Sequence, residues 1–335
     1  MVDTNIFIIA EIAQAHDGSL GILHSYIDAL AAAGVSAVKF QTHIAQAESS
    51  AHEPFRVKFS YVDDTRYDYW RRMEFTESQW HGIKQHCDDA GVEFISSPFS
   101  NAAVDLLERV VVKRYKVGSG EVSNFLLLEK LAATGKPVIL SSGMSSFAEL
   151  DKAVGFLQSR NTDVSVMQCT TAYPTAPAQW GLNVVPLLES RYGLPVGFSD
   201  HSGVIYPSIA AVALGARMLE FHAVFDRRMF GPDAKASLTI NEIAELVRAC
   251  TQVDTSVKTV IDKDDTSSFT ALKQIFEKSL AVNKDLAAGH VLQFGDLEAK
   301  KPRGFGIDAA RFESVIGKTL KNNLKAYEFL NDFDI

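Results

Sequence analysis

Cysteine is scarce in this chain of 335 residues: Cys87, Cys169 and Cys250, an odd number with no short spacing between them. That excludes a disulfide framework and a paired-thiolate zinc motif, and it points to a reducing compartment. The expectation for all three is burial as small hydrophobes. No segment approaches the roughly 18 uninterrupted apolar residues of a membrane span. The opening Met-Val-Asp-Thr-Asn has no basic region ahead of a cleavable apolar stretch, so cytoplasmic residence and no membrane partner are expected. A Lys/Arg stripe is also lacking and the formal charge is −8. Counterion release on a nucleic acid needs a basic surface, so no nucleic-acid partner is expected, although a small anion needs only a few local cations. A glycine-rich dinucleotide turn is missing after the first β-rich run, which weighs against an open doubly wound sheet.

With 47% hydrophobic and 22% charged residues, the chain has the composition of a folded globular protein. Short β-rich apolar runs alternate with longer segments of helical period from residue 6 to about residue 255. The runs are Ile6–Ile12, Ala37–His43, Val92–Phe99, Arg114–Ser119, Pro137–Gly143, Val164–Thr170, Pro195–Asp200 and Met218–Val224. Eight parallel strands, each followed by a helix, predict a closed (β/α)8 TIM barrel over residues 1–258. Gln46 to Glu77 forms a long, polar, aromatic-rich insertion, read either as a lid over the site or as a surface excursion packed by its own rings. Residues 259–278 read as a linker around the charged Asp262–Ser268 stretch, and 279–335 as a small C-terminal domain of short strands and turns.

Polar side chains gather where the barrel strands should end, the face on which TIM barrels do their chemistry. Lys39, Gln41 and His43 alternate along the second strand and so share its inward face. The fourth ends in Lys116-Val-Gly-Ser119-Gly-Glu121, where glycines let backbone N–H groups approach a phosphate that Lys116 neutralises. The fifth adds Ser141-Ser142-Gly143. His201, after Ser199-Asp200, and His222, beside Glu220, end neighbouring strands, a spacing that suits one divalent metal with open positions. Each histidine has the competing reading of a hydrogen-bonded structural residue. Glu11, ending the first strand, is a general base, a ligand for a substrate hydroxyl, or an ion-pair partner of Lys39 or Lys116. Asp233 beyond the eighth strand is a site carboxylate or an exposed turn residue.

These motifs together resemble the sialic acid synthase family, the phosphoenolpyruvate-dependent synthases of nonulosonic acids. IAEIAQAHDGSL, VKFQTH, FISSPF, YKVGSGE, ILSSGM, QCTTAYPT, GFSDHS, ALGARMLEFH and GPDAKASL carry the resemblance, with KDLAAGHVL and IGK near the end, in order from residue 9 to 318. The resemblance implies condensation of phosphoenolpyruvate with an open-chain N-acylated amino sugar, releasing phosphate. The cofactor it implies is a divalent metal, Mn²⁺ ahead of Mg²⁺ or Co²⁺, on His201 and His222. Glu11 matches the family's catalytic glutamate, and Lys39, Lys116, Ser119 and Ser142 match its phosphoenolpyruvate-binding positions. Gln41, Glu121, Tyr173, Ser199 and Asp233 match positions lining the sugar and phosphate sites. The C-terminal segment resembles the family's antifreeze-like SAF domain, which in a domain-swapped homodimer closes over the partner's barrel. Departures occur at Ala15, at Thr171 and in Lys300-Lys301-Pro302-Arg303, which leaves Arg303 or Lys301 to supply the contact to the partner's sugar. The GSGE motif stands nearer the sialic and legionaminic branches than the pseudaminic one. Two competing readings are a metal-dependent keto-acid aldolase on the same barrel and a noncatalytic sugar-binding barrel, the latter disfavoured because Glu11, His201 and His222 are all present.

Overall fold

The computed structural model describes residues 6–57 and 59–335, so the reading of the first five residues lies outside it. Eight parallel strands form in chain order: β1 (Phe7–Glu11), β2 (Ala37–Thr42), β3 (Glu93–Pro98), β4 (Tyr115–Val117), β5 (Val138–Ser141), β6 (Val164–Cys169), β7 (Val196–Asp200) and β8 (Met218–Val224). Each pairs with its sequence neighbour, and β1 pairs with β8, which closes the barrel. Most strands are a residue or two shorter than the β-rich runs. The fourth and fifth each lose three residues, the fourth because the chain leaves the ladder at Gly118 and turns into a short 3₁₀ segment over Ser119–Glu121.

A helix follows every strand, and local signals in the sequence start and stop several of them. The helix Leu20–Ala33 is opened by the Ser19 side chain, which accepts from Ile22 N, and closed by Gly34 in the left-handed conformation at φ 89°. Thr76/Gln79 and Ser146/Glu149 form reciprocal capping boxes at the helices Glu77–Asp89 and Phe147–Gln158, and at Ile240–Lys258 the Glu242 carboxylate accepts from Thr239 N and Oγ1. Outward strand residues such as Ile8, Val38, Phe40, Phe94, Leu140, Val166, Phe198 and Leu219 are fully covered by this helical ring and share its large apolar core.

Inward positions, offset by one residue, show an abrupt change of chemistry. Ile9, Ala37, Ile95, Ile139, Met167 and Met218 form a separate apolar plug that fills the lower barrel. Two residues further along the same strands the inward side chains become Glu11, Lys39, Ser97, Ser141, Cys169 and Glu220. The period-2 alternation of a strand therefore places the plug directly beneath the polar layer and supports it.

The chain divides into two compact units after Thr259. In the second unit, β10 (Ser279–Val282) and β11 (Leu297–Lys300) pair antiparallel, and Leu280, Val282, Leu286, Leu292, Ile307, Val315, Leu320, Leu324 and Leu330 make a core of their own. A further two-residue strand, β9 (Leu238–Thr239), lies against β8. The segment read as linker is not wholly irregular: after the exposed Asp/Ser/Thr stretch, Thr270–Phe276 winds into a short helix, because Ala-Leu-Lys-Gln are good helix formers. Among the described residues no helix is long and apolar enough to cross a membrane.

The plug leaves no room at Gly197, where an added Cβ would lie 2.8 Å from Met167 Cε and 2.9 Å from both Met218 Cβ and its carbonyl oxygen. Gly197→Ala is expected to destabilise the fold by about 1–3 kcal/mol through overpacking. Urea denaturation followed by circular dichroism checks this, and an unchanged midpoint would contradict the packing described.

Candidate active site

The inward polar layer opens into a cavity of about 380 Å³ whose walls include Glu11, Lys39, Gln41, Lys116, Ser119, Glu121, Tyr173, Ser199, His201, His222 and Asp233. Of the residues singled out from the sequence for the barrel, only Ser142 is missing from these walls. Its hydroxyl is turned into the structure, donating to Gln168 Oε1 at 3.2 Å and accepting from Cys169 N at 3.2 Å. Ser141, one residue earlier and inward, takes the cavity position instead. Arg303 lies in the second unit, where it pairs with Glu277 and Asp308, and Lys301 in the same unit holds its ammonium 4.8 Å from the Phe276 ring centroid.

Four charged side chains at the bottom of the cavity form one buried network. Lys39 Nζ is 2.7 Å from Glu11 Oε1 and 3.5 Å from Glu220 Oε1, and Lys116 Nζ is 3.1 Å from the same Glu220 oxygen. Lys116 also donates to Ser141 Oγ at 2.5 Å, and Ser199 Oγ donates to Glu220 Oε1 at 3.1 Å. Gln41 Nε2 donates to Glu11 Oε1 at 2.7 Å and is itself oriented by Gln14, whose Nε2 donates to Gln41 Oε1 at 2.6 Å. Burial would push the Glu11 carboxyl up, but the Lys39 ammonium and the His222 ring hold it well below the usual carboxylate range. Glu220 moves down for the same kind of reason: burial opposes ionisation, and Lys116 and Lys39 outweigh it. Lys39 is correspondingly raised, since Glu11 and Glu220 overcome the burial that would lower it. Both carboxylates are thus ionised and act as acceptors. One atom, Glu220 Oε2, is buried with no partner.

Above this layer the two histidines meet across neighbouring strands, with ring centroids 5.3 Å apart. Tyr173, on the loop after β6, stacks on His201 at 4.2 Å and meets the edge of His222 at 5.8 Å. Burial lowers the His222 pKa, which keeps that ring neutral, and its Nε2 is 3.4 Å from Glu11 Oε2. At His201 burial acts the same way, but the Cys169 sulfur and the Thr170 carbonyl outweigh it and raise the pKa to about 9. His201 Nδ1 lies 3.0 Å from the Thr170 oxygen, which fixes the ring and leaves Nε2 without a protein partner among the described residues. No set of three or more His, Cys, Asp or Glu side chains among the described residues forms a ready-made metal cage. The two rings, with the Glu11 carboxylate 3.4 Å from His222, fit a divalent ion that displaces the His201 proton and completes its coordination with substrate oxygens and water.

The Gly-Ser turn after β4 depends on close approach between loops. At Gly143 an added Cβ would lie 2.3 Å from Ser119 Oγ and 2.5 Å from Thr171 Oγ1, so a larger residue there would have to turn both hydroxyls away from the point where the three strand-end loops converge. Glu121, in this turn, accepts from Asn124 Nδ2 at 2.7 Å, and burial raises its pKa.

Several wall residues were not singled out from the sequence. Cys169 is buried like the other two cysteines, but it faces the cavity, with its sulfur 3.8 Å from His201 Nδ1 and 3.7 Å from Ser119 Oγ. Its position at the end of β6, inward by the period-2 rule, was the available signal. His43, which the alternation along the second strand had put inward with Lys39 and Gln41, also lines the cavity just past the end of β2, sandwiched against Trp70 and Phe99 at 3.9 and 4.7 Å, with Nδ1 2.6 Å from Glu48 Oε1. The insertion is both things the sequence left open. Ala45, Tyr69, Trp70 and Met73 form its own small core, while Glu53, Phe55, Arg56, Phe59, Tyr69 and Trp70 roof the cavity. Arg56 is the unforeseen member of the site, because nothing in local spacing ties a loop arginine to Asp233, 177 residues further along the chain.

A closed parallel barrel with paired lysines, paired histidines and a carboxylate at its strand ends is an enzyme scaffold with its polar groups on the face where such barrels do their chemistry. Residues 26–262 match the NeuB family, and the chain belongs to it. The N,N'-diacetyllegionaminic acid synthase of Campylobacter jejuni is 33% identical, over 97% of this chain and 98% of that protein. Human N-acetylneuraminate-9-phosphate synthase is 32% identical, over 89% of this chain and 84% of its own length. The crystal structure of N-acetylneuraminic acid synthetase from Leptospira borgpetersenii in complex with citrate superposes with a TM-score of 0.71 at 27% identity, covering 80% of this chain and 90% of that one.

The depressed Glu11 pKa has a measurable consequence for stability. A carboxyl held low in the fold stabilises it fully above the unfolded value of about 4.3, and the contribution fades as pH falls toward the folded value. Glu11→Gln keeps the side-chain shape and removes the charge. The stability gap between wild type and this variant is expected to be constant from pH 8 to 5 and to shrink by up to about 1.4 kcal/mol per pH unit below about pH 4. Urea midpoints across that range measure it, and a gap as large at pH 3 as at pH 7 would contradict the ion pair.

Proposed function

We propose that this chain condenses phosphoenolpyruvate with an open-chain N-acylated amino sugar and water to give a 2-keto-3-deoxy nonulosonic acid and phosphate. It is an enzyme of the nonulosonic acid synthase group. The observation that carries the reading is one cavity in which two strand-borne lysines and the Gly-Ser turn lie below a histidine pair. Lysines beside backbone N–H groups at a Gly-Ser turn are the chemistry of phosphate and carboxylate binding.

Lys39 and Lys116, with Ser119 and Ser141, hold the anionic groups of phosphoenolpyruvate, and its enol carbon C3 points toward the sugar aldehyde. His201 and His222 hold a divalent ion, Mn²⁺ in first place, which when bound polarises the aldehyde oxygen. Tyr173, stacked on His201, walls the aldehyde end of the sugar. As C3 bonds to the aldehyde carbon, the C2–C3 π pair is consumed, the carbonyl oxygen takes a proton, and C2 becomes electron-poor. Water adds to C2 and the resulting tetrahedral centre expels phosphate by C–O cleavage, leaving the ketone. Glu11, ionised and beside His222, is placed to accept a proton or hold a hydroxyl during these steps. Gln41, Glu121, Ser199 and Asp233 supply the remaining polar contacts around the two substrates. The acceptor is N-acetylmannosamine or a 2,4-diacetamido-trideoxyhexose.

The second unit, with its own small core and short antiparallel strands, is read as an SAF domain. In a domain-swapped homodimer it would bring Arg303 or Lys301 to the partner's sugar. A cytoplasmic site of action agrees with substrates that are both intracellular metabolites.

A phosphate-release screen of N-acyl amino sugars with phosphoenolpyruvate and Mn²⁺ tests reaction and acceptor together. Turnover is expected to require both substrates, to stop with excess chelator, and to fall about 100-fold or more in His222→Ala. Phosphate release without any amino sugar would overturn the reaction, and undiminished turnover under chelator would overturn the metal assignment.

A further inference from the structure

The roof of the cavity is tied to the barrel loops by polar contacts, Arg72 to Asp17 after β1 and Arg56 to Asp233 after β8. Arg56 leaves the insertion after β2 and reaches the loop after β8, where Nη2 donates to Asp233 Oδ1 at 2.5 Å. Its guanidinium carbon sits 4.0 Å from the centroid of the Tyr173 ring. Aromatic contacts hold the same two segments together, with Phe59 and Tyr61 packed at 5.6 and 5.9 Å from Phe230. Arg56 is therefore held at the cavity mouth by a carboxylate and by the ring that stacks on His201.

The chemistry changes in order from floor to rim. The lysines that suit an anion are at the bottom, the histidine pair is above them, Tyr173 lies against the histidines, and Arg56 with Asp233 stands at the mouth. A substrate whose reacting carbon is at the histidines must send the rest of its chain toward that rim. The guanidinium and carboxylate there neutralise each other, so the pair does not present a net charge to a second anion. It presents N–H donors beside an acceptor, which is the pattern that a hydroxyl or an amide matches. Only one N–H of Arg56 has a protein partner among the described residues, and the side chain is 39% exposed, so its other donors are available.

We propose that Arg56 is a specificity-determining residue, which together with Asp233 forms a rim clamp on the hydroxyl and N-acyl groups of the acceptor sugar. This rests on the reaction proposed above for its choice of sugar, and on geometry for the residue. The insertion thereby acts as part of the acceptor site as well as its cover. Loss of the guanidinium weakens the sugar and leaves phosphoenolpyruvate, held by the floor lysines, unaffected.

Steady-state kinetics and calorimetry on Arg56→Ala, Arg56→Lys and Tyr61→Ala test the clamp. The calorimetric probe is N-acetylmannosaminitol, the open-chain alcohol that lacks the reacting aldehyde. Arg56→Ala is expected to raise the sugar KM and the probe Kd by about 10- to 100-fold, with the phosphoenolpyruvate KM within twofold of wild type. Arg56→Lys recovers part of the loss, since an ammonium keeps the Asp233 pair without the planar fork. Tyr61, 93% exposed and outside the cavity wall, touches only the fastening, and its replacement is expected to change neither constant. Equal losses for both substrates in Arg56→Ala, or the same sugar defect in Tyr61→Ala, would show that the insertion merely covers the site and would overturn the clamp. An unaltered sugar KM and probe Kd in Arg56→Ala would also overturn it. Wild type that binds the probe but releases no phosphate, with binding lost in Arg56→Ala, would overturn the reaction and leave the clamp standing.

Discussion

The site depends on keeping two carboxylates and two ammonium groups out of water at the end of a barrel. Each isolated charge would cost several kcal/mol to bury, and only mutual contact with satisfied hydrogen bonds offsets that. Glu11, Lys39, Glu220 and Lys116 come from four different strands, so the contacts exist only if those strands are in register. The apolar plug below holds that register, and Gln14, Gln41, Ser141 and Ser199 complete the hydrogen bonding around the charges. Such a network adds little stability relative to an apolar filling of the same volume. Its value is chemical, since it stores ionised groups at the floor of the cavity.

The network also sets the protonation of the site. With the lysines in contact, the glutamates stay ionised and accept hydrogen bonds, and His222 stays neutral beside them. An anion arriving at Lys39 and Lys116 has to share those ammonium groups with Glu11 and Glu220. Glu220 Oε2, which has no hydrogen-bond partner among the described residues, is the point at which the network is incomplete.

Much of this was legible in the sequence because it follows from periodicity. The eight β-rich runs locate the strands, and alternation along β2 puts Lys39 and Gln41 on the inner face with no three-dimensional information. The same rule applied to β6 and β8 would have placed Cys169 and Glu220 in the wall, but a lone cysteine reads as core and a glutamate beside a histidine draws less notice than the histidine. Ser142 went the other way. In Ser141-Ser142-Gly143 the two serines are chemically alike, and the strand end that decides which one faces inward is a property of the ladder. Arg56 was out of reach, because its partners Asp233 and Tyr173 are distant in sequence and the intervening insertion has no period to extrapolate. Helix in the segment before β10 was missed for a simpler reason: seven residues are too few to show a periodic face against a polar neighbourhood.

The small aromatic core of the insertion carries a consequence for how this scaffold changes. Tyr69, Trp70, Met73 and Ala45 pack mainly on one another and on Phe55, Phe59 and Tyr67, so the segment holds its shape largely by itself. A segment of that kind is a cassette. Sequence drift within it, or its replacement by a relative's segment, alters the roof of the cavity without disturbing the lysine floor or the strand register. The shape of the cavity mouth is therefore changed by rewriting one surface loop, while the buried charges beneath it stay as they are.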